Sequence, residues 1–256
     1  MEMRFKNIEG INDTSIKFDG ITILSGYENI GKDTIFQGLC NFRNIQDYKN
    51  EHNKTDNDFI LDKVLYQIDG VVEYIFKNKK IKIDFPSKLI KGDITKISEY
   101  HTFNIKFMKK INEILKVLEK NTYKTMGETT LFELRMMLER IIDGKKYKRN
   151  IFIFNNIDAY LHPKYQLMLG EMIVLLKKMN IDTLTITNSP YLIYAIEVFS
   201  AKYNLSQKCN YYLSDKDEEN KSSIIDVTDN TDIIYKQLYE PLGKLMQIEY
   251  TIEEGE

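Results

Sequence analysis

The chain is poor in the residues that build redox and metal chemistry. Its only cysteines, Cys40 and Cys209, lie far apart with no Cys or His neighbour at metal-ligand spacing, which argues against a disulfide scaffold and a zinc site. The three histidines, His52, His101 and His162, are scattered, and Ser189 has no partners at the spacing of a hydrolase triad. Apolar stretches are no longer than runs such as Met172 to Leu176, too short to span a bilayer, and Met1-Glu2-Met3-Arg4 opens no apolar signal segment. A soluble, cytoplasmic protein with no membrane partner is expected. An excess of charge of one sign is also missing: 36 basic residues face 38 acidic ones for a net charge of −2, so the overall balance gives no support for non-specific nucleic-acid binding. Internal repeats are absent, and so are heptads sustained over many turns, which excludes a long coiled-coil arm.

What is present is a folding composition. Of 256 residues 43% are apolar, with 17 Tyr and 13 Phe, and one domain of that length buries roughly 70 to 75% of its unfolded surface. Met3 to Ile8, Thr14 to Phe18 and Ile21 to Leu24 read as strands, and further strands are expected at Lys63 to Ile68, Val71 to Phe76 and Lys80 to Phe85. Phe107, Ile111, Ile114, Leu115 and Leu118 recur at helical spacing, with a lysine-rich face between them that reads as solvated. Thr125 and Glu128 satisfy a capping box at the head of a second helix. Asn150 to Phe154 reads as a fully buried strand, Pro163 starts a helix, Thr183 to Thr187 forms a strand and Tyr191 to Phe199 a helix. That alternation predicts a parallel α/β core. Asn210 to Leu213 and Ser223 to Val227 look like an edge hairpin, followed by a C-terminal helix from about Asp232.

The chemistry concentrates where the third strand ends. Gly26, Gly31 and Lys32 have the spacing of a phosphate loop, in which backbone N–H groups and a helix N-terminus surround phosphates and the lysine adds a point charge. Asn29 lies within the loop, Asp33 follows the lysine, and Thr34 comes next.

With these residues the chain resembles the ABC-class ATPases of the SMC, RecF and OLD type, including the small AAA-family ATPases of bacterial defence systems. Asn155-Asn156-Ile157-Asp158-Ala159-Tyr160-Leu161-His162-Pro163 is similar to the family's Asp-Glu-Pro-Glu-x-x-Leu-His-Pro block, and Thr187-Asn188-Ser189-Pro190-Tyr191-Leu192 to its Thr-His-Ser-Pro-x-Leu block. Thr125-Met126-Gly127-Glu128 falls where the family's signature would stand, roughly 30 residues before Asn155. The resemblance implies an α/β P-loop NTPase fold of the ABC head kind: a parallel core sheet, an N-terminal antiparallel β subdomain and a helical lobe. It implies a single head over residues 1–256, with an N-terminal β and phosphate-loop lobe at 1–45, an inserted β/helical lobe at 46–124, and a signature helix, buried strand and C-terminal lobe at 125–256. ATP and Mg2+ are the cofactors implied, and Gly26, Asn29, Gly31, Lys32, Asp33 and Thr34 the nucleotide-binding residues. Thr125, Gly127 and Glu128 would make the contact across a homodimer or heteromer, with an effector nuclease or other defence subunit as partner and DNA or RNA reached through it.

The departures from the family fall on its catalytic positions. Asn155 stands for the acid that orients magnesium, and a neutral amide cannot supply that charge. Asn156 stands for the general base, whose loss forfeits a factor of roughly 100 to 10,000. Asn188 replaces the histidine that senses the γ-phosphate, and Asp33 replaces a metal-binding hydroxyl. Asp33 and Asn155 are therefore the candidate metal positions, with Asp33 able to return the carboxylate that Asn155 lacks. Asp158 and His162 read as shaping the loop after the strand. The reading is a degenerate ATPase: a nucleotide-binding or pseudo-ATPase regulatory subunit, with weak or no hydrolysis. Beside it stand an active ATPase with exchanged magnesium ligands and a nucleotide-free interaction module.

Overall fold

The structure is a computed structural model that describes residues 2–6, 12–27, 31–32, 35, 70–76, 79–85, 88–90, 107–121, 126–142, 151–216 and 222–253. Two sheets dominate it. The first is antiparallel and joins β1 (Glu2–Lys6), β2 (Thr14–Lys17), β4 (Gly70–Phe76), β5 (Lys79–Phe85) and β6 (Lys88–Ile90) in the order β2-β1-β4-β5-β6. The strands expected at Val71 to Phe76 and Lys80 to Phe85 thus extend the sheet begun by β1 and β2, with Met3 opposite Tyr74 and Phe5 opposite Val72. The strand expected at Lys63 to Ile68 lies outside the described residues.

The second sheet carries the parallel core. It joins β3 (Ile21–Gly26), β7 (Ile151–Asn155), β8 (Asp182–Ile186), β9 (Cys209–Lys216) and β10 (Ser222–Asp226) in the order β10-β9-β3-β8-β7. β3 is parallel to both β8 and β9, β7 is parallel to β8, and β10 closes the other edge antiparallel to β9. Two expectations change here. β7 is an edge strand among the described residues rather than a fully buried one: Phe152 and Phe154 face inward, while Ile151, Ile153 and Asn155 are only half-buried. The hairpin is not wholly at an edge either, because β9 lies between β10 and β3, and this interior place buries Tyr211, Tyr212 and Leu213.

Helices α1 (Met108–Asn121), α2 (Met126–Ile142), α3 (Pro163–Lys178) and α4 (Pro190–Lys202) contribute to one core together with Ile21, Ile23, Phe152 and Phe154 of the parallel sheet. The spacing in α1 puts Ile111, Ile114, Leu115 and Leu118 on one buried stripe, and each such side chain taken out of water contributes about 1.5 to 3 kcal/mol. Proline at the first position starts both α3 and α4. His162 Nδ1 caps the former by accepting from Lys164 N at 3.2 Å, and Ser189 Oγ caps the latter by accepting from Leu192 N at 3.4 Å. α3 and α4 approach closely at Gly170, where a Cβ would stand 2.6 Å from that of Ala195.

The antiparallel sheet is tied to the parallel one by polar contacts. Lys17 N donates to Tyr212 Oη at 3.0 Å, Asn12 N to Ser222 O at 2.7 Å, and Thr22 Oγ1 to Lys17 O at 2.9 Å. The C-terminal helix α5 (Asp232–Glu253) anchors through buried Ile234 and half-buried Tyr235 and Leu238. Beyond Leu238 its apolar side chains are exposed. No helix among the described residues is long and apolar enough to cross a membrane.

Candidate functional site

Parallel sheets present ligand sites at the carboxyl ends of their strands, and here the ends of β3, β7 and β8 lie side by side. β3 runs into Gly26, whose φ of +113° and whose absent side chain are both required: a Cβ there would stand 2.1 Å from Ser214 O of β9. Gly31 also has positive φ, +77°, and the helix then begins, with Ile35 N donating to Gly31 O at 3.0 Å. Strand, glycine loop and helix start are thus in the order that a phosphate cradle needs.

Lys32 is buried, 6% exposed, and its ammonium points back into the loop. Nζ donates to Gly26 O at 2.6 Å and to Asn188 Oδ1 at 3.0 Å. The same amide oxygen accepts from Gly26 N at 3.1 Å and Ser25 Oγ at 3.4 Å. Asn188, just past β8, therefore joins the phosphate loop from 156 residues away, and its oxygen accepts from the two donors that an incoming phosphate would use. The structure brings Gly26, Gly31, Lys32, Asn155, Asn156 and Asn188 to neighbouring strand ends.

Asn155 closes β7, and its Oδ1 is buried with no hydrogen-bond partner. Asn156 adopts the left-handed conformation, φ 49° and ψ 30°, with its N–H donating to Ile186 O at 2.9 Å and its side chain exposed. Asparagine is among the few residues that tolerate this backbone geometry. No titratable group stands at either position, so neither offers a general base. Gly127 and Glu128 lie in the first turn of α2. Asn29, Asp33, Thr34 and Thr125 lie outside the described residues.

Two residues given lesser roles by sequence reasoning, or none, stand in this site. Asp158, in the 3-10 turn Ile157–Tyr160 after β7, is 8% exposed and accepts a hydrogen bond from the Thr187 side chain, while its Oδ1 is buried without a partner. Burial pushes its carboxyl above the ordinary value, against the hydrogen bond from Thr187 and the nearby charge of Lys32. Gln166 of α3 holds the turn in place: Nε2 donates to Asp158 O at 3.0 Å and Leu161 O at 2.9 Å, and its Oε1 accepts from Ser189 Oγ. Its signal in the sequence is a polar residue at helical spacing from Leu169 and Ile173, on an otherwise apolar stripe. A third contact, Tyr27 Oη to Glu240 Oε2 at 3.2 Å, links the phosphate loop to α5.

The site is chemically suited to an anion beside a cation. Glycine N–H, the buried lysine and the helix start fit a phosphate, and the two orphaned oxygens of Asn155 and Asp158 are hard donors that fit Mg2+. No protein-family model matches the sequence, and no curated protein does. Among solved structures, an SMC head bound to the C-winged-helix domain of ScpA superposes with a TM-score of 0.50 at 10% identity, over 91% of this chain and 98% of that one. The SMC head domain from Thermotoga maritima gives 0.47 at 10% identity, over 88% and 98%. An ATP-binding cassette of an ABC transporter in its ADP conformation gives 0.45 at 14% identity, over 97% and 99%. The chain has the α/β P-loop NTPase fold of the SMC head.

Proposed function

We propose that this chain is a nucleotide-binding head that has given up most of its hydrolytic chemistry and serves as a regulatory or assembly subunit. The observation that carries the reading is the pairing of Gly26, Gly31 and Lys32, the described part of the phosphate loop, with neutral strand ends. Gly26 N–H and Lys32 Nζ converge on one acceptor, Asn188 Oδ1, while amides occupy the positions where the resembled family has its acid, base and histidine. ATP and Mg2+ would bind between the phosphate loop and the ends of β7 and β8, and turnover would be slow or absent. Assembly is supported by α5, where Leu242, Leu245, Met246, Ile248 and Ile252 are each more than half exposed on one projecting helix. A homodimer or heteromer in the cytoplasm, with an effector such as a nuclease that itself reaches DNA or RNA, is the arrangement this reading favours.

One observation favours a second reading, a nucleotide-free interaction module: Asn188 already accepts from Gly26 N and Lys32 Nζ. Measuring ATP binding by calorimetry and phosphate release separately distinguishes them. Binding without turnover, lost in Lys32→Ala, is the expected result. Turnover in the range of working ATPases, abolished by Lys32→Ala, overturns the pseudo-ATPase reading, and the absence of binding at millimolar ATP overturns nucleotide binding altogether.

A further inference from the structure

Asp158 is a costly residue for its place. A carboxylate that is 92% buried ordinarily has every oxygen hydrogen-bonded or an ion pair to offset its desolvation, yet one of its oxygens is met only by the surrounding protein without a donor. The side chain is not loosely placed. Thr187 donates to it, and Gln166 clamps its backbone carbonyl from α3. The turn that carries it leaves the end of β7 one residue after the left-handed Asn156, so Asp158 follows the carboxyl end of the sheet, as Lys32 and Asn188 do, and the Lys32 charge acts on it. A second orphaned oxygen, Asn155 Oδ1, ends the same strand. An anionic oxygen and an amide oxygen, both buried and both without donors, stand beside the cradle of an anion. Mg2+ is bound in this manner, by one or two protein oxygens with nucleotide phosphates and water completing its shell.

We propose that Asp158 holds the divalent cation that accompanies a bound nucleotide, supplying the charge that Asn155 lacks, with Asn155 Oδ1 as a neutral second ligand. The proposal rests on the nucleotide-binding reading above. It differs from an exchange through Asp33, because the carboxylate comes from the turn after β7 and not from the phosphate-loop helix. Charge accounts for the consequence. The charge of Lys32 acts on Asp158 as well as facing the phosphates, so ATP without a cation meets a buried carboxylate that repels it, and ATP with Mg2+ does not.

The test measures the Kd of ATP by calorimetry in EDTA and in Mg2+, together with Mn2+ binding by the loss of its free electron-paramagnetic-resonance signal in the presence of ATP. In the unaltered protein Mg2+ is expected to tighten ATP at least ten-fold. In Asp158→Asn, which keeps the shape and can still bond to Thr187, the enhancement should fall below three-fold, ATP in EDTA should bind as well or better, and the protein-dependent loss of the Mn2+ signal should weaken at least ten-fold. Full retention of the Mg2+ enhancement in Asp158→Asn overturns the proposal, as does ATP binding in EDTA that Mg2+ leaves unchanged in the unaltered protein. If ATP binds in neither buffer, the nucleotide-binding reading itself fails, and this proposal with it. Should Asp158→Asn not fold, Asp158→Ser, smaller and neutral, is measured in the same way: the protein-dependent loss of the Mn2+ signal should again weaken at least ten-fold, and its full retention overturns the assignment.

Discussion

Replacing Asn188 by alanine tests how the phosphate loop is held. Its Oδ1 accepts from Lys32 Nζ at 3.0 Å, Gly26 N at 3.1 Å and Ser25 Oγ at 3.4 Å, and the first two donors are those a phosphate needs. A nucleotide entering this arrangement exchanges one charge-assisted hydrogen bond, worth about 1.5 to 3 kcal/mol, and one neutral bond, worth about 1 kcal/mol, for bonds to itself. In Asn188→Ala water takes the place of the amide and holds the donors less firmly, so the cost of displacement falls by about 1 to 2 kcal/mol. The Kd should then drop about five- to thirty-fold, for ADP as much as for ATP, because the competition concerns the loop and not the terminal phosphate. Calorimetric titration with both nucleotides reads this directly, beside a thermal melt to confirm that the variant is folded. If Asn188 instead contacts the γ-phosphate, as the position implies in the resembled family, ATP binds more weakly to the variant and ADP is unchanged. That result, or equal affinities for variant and parent, refutes the competition argument.

Other consequences concern the scaffold. Gly170→Ala places a methyl 2.6 Å from the Cβ of Ala195, a contact with little freedom to yield, and should cost about 1 to 3 kcal/mol in urea unfolding; a neutral result would show that α3 and α4 separate easily. Glu171 is half-buried, and its partial desolvation raises its pKa, but hydrogen bonds from Lys110 and Tyr203 and the charges of Lys110 and Lys202 outweigh that and hold it below its ordinary value. A depressed carboxylate contributes stability that is complete above its unfolded pKa of about 4.3 and is lost as pH falls through the folded value. Glu171→Gln should therefore be less stable than the parent at pH 7, and the gap should narrow below about pH 4. Leu245→Glu on α5 meets a site 62% exposed and should change unfolding stability by less than about 0.5 kcal/mol while reducing any self-association seen by light scattering; a large loss of stability would mean that this helix packs on its own chain.

Local signals account for the parts that sequence reasoning located well. Ile21 to Leu24, Gly26, Gly31 and Lys32 are contiguous, so strand, glycine turn and helix start are each decided by neighbours, and the same holds for Pro163 and Pro190 at the heads of α3 and α4. What neighbours cannot decide is strand order. Ile151 to Phe154 is continuously apolar whether one face or two are covered, and only the strand order, with β9 beside β3 and not beside β7, makes β7 an edge among the described residues. The site divides the same way. Asn155, Asn156 and Asn188 are visible because they interrupt recognisable blocks, but the bond between Asn188 and Lys32 spans 156 residues and belongs to the packed sheet. Asp158 illustrates the limit most clearly. In sequence it is one acid in a loop, ordinarily solvated and inexpensive; Gln166 of α3 and Thr187, just past β8, convert it into a buried carboxylate with an oxygen to spare. Its chemical meaning is thus created by tertiary contacts. The aligned letters count Asn155 and Asn156 as losses and Asp158 as one acid kept in place of another; only the packed structure shows that this acid is buried with an unpaired oxygen.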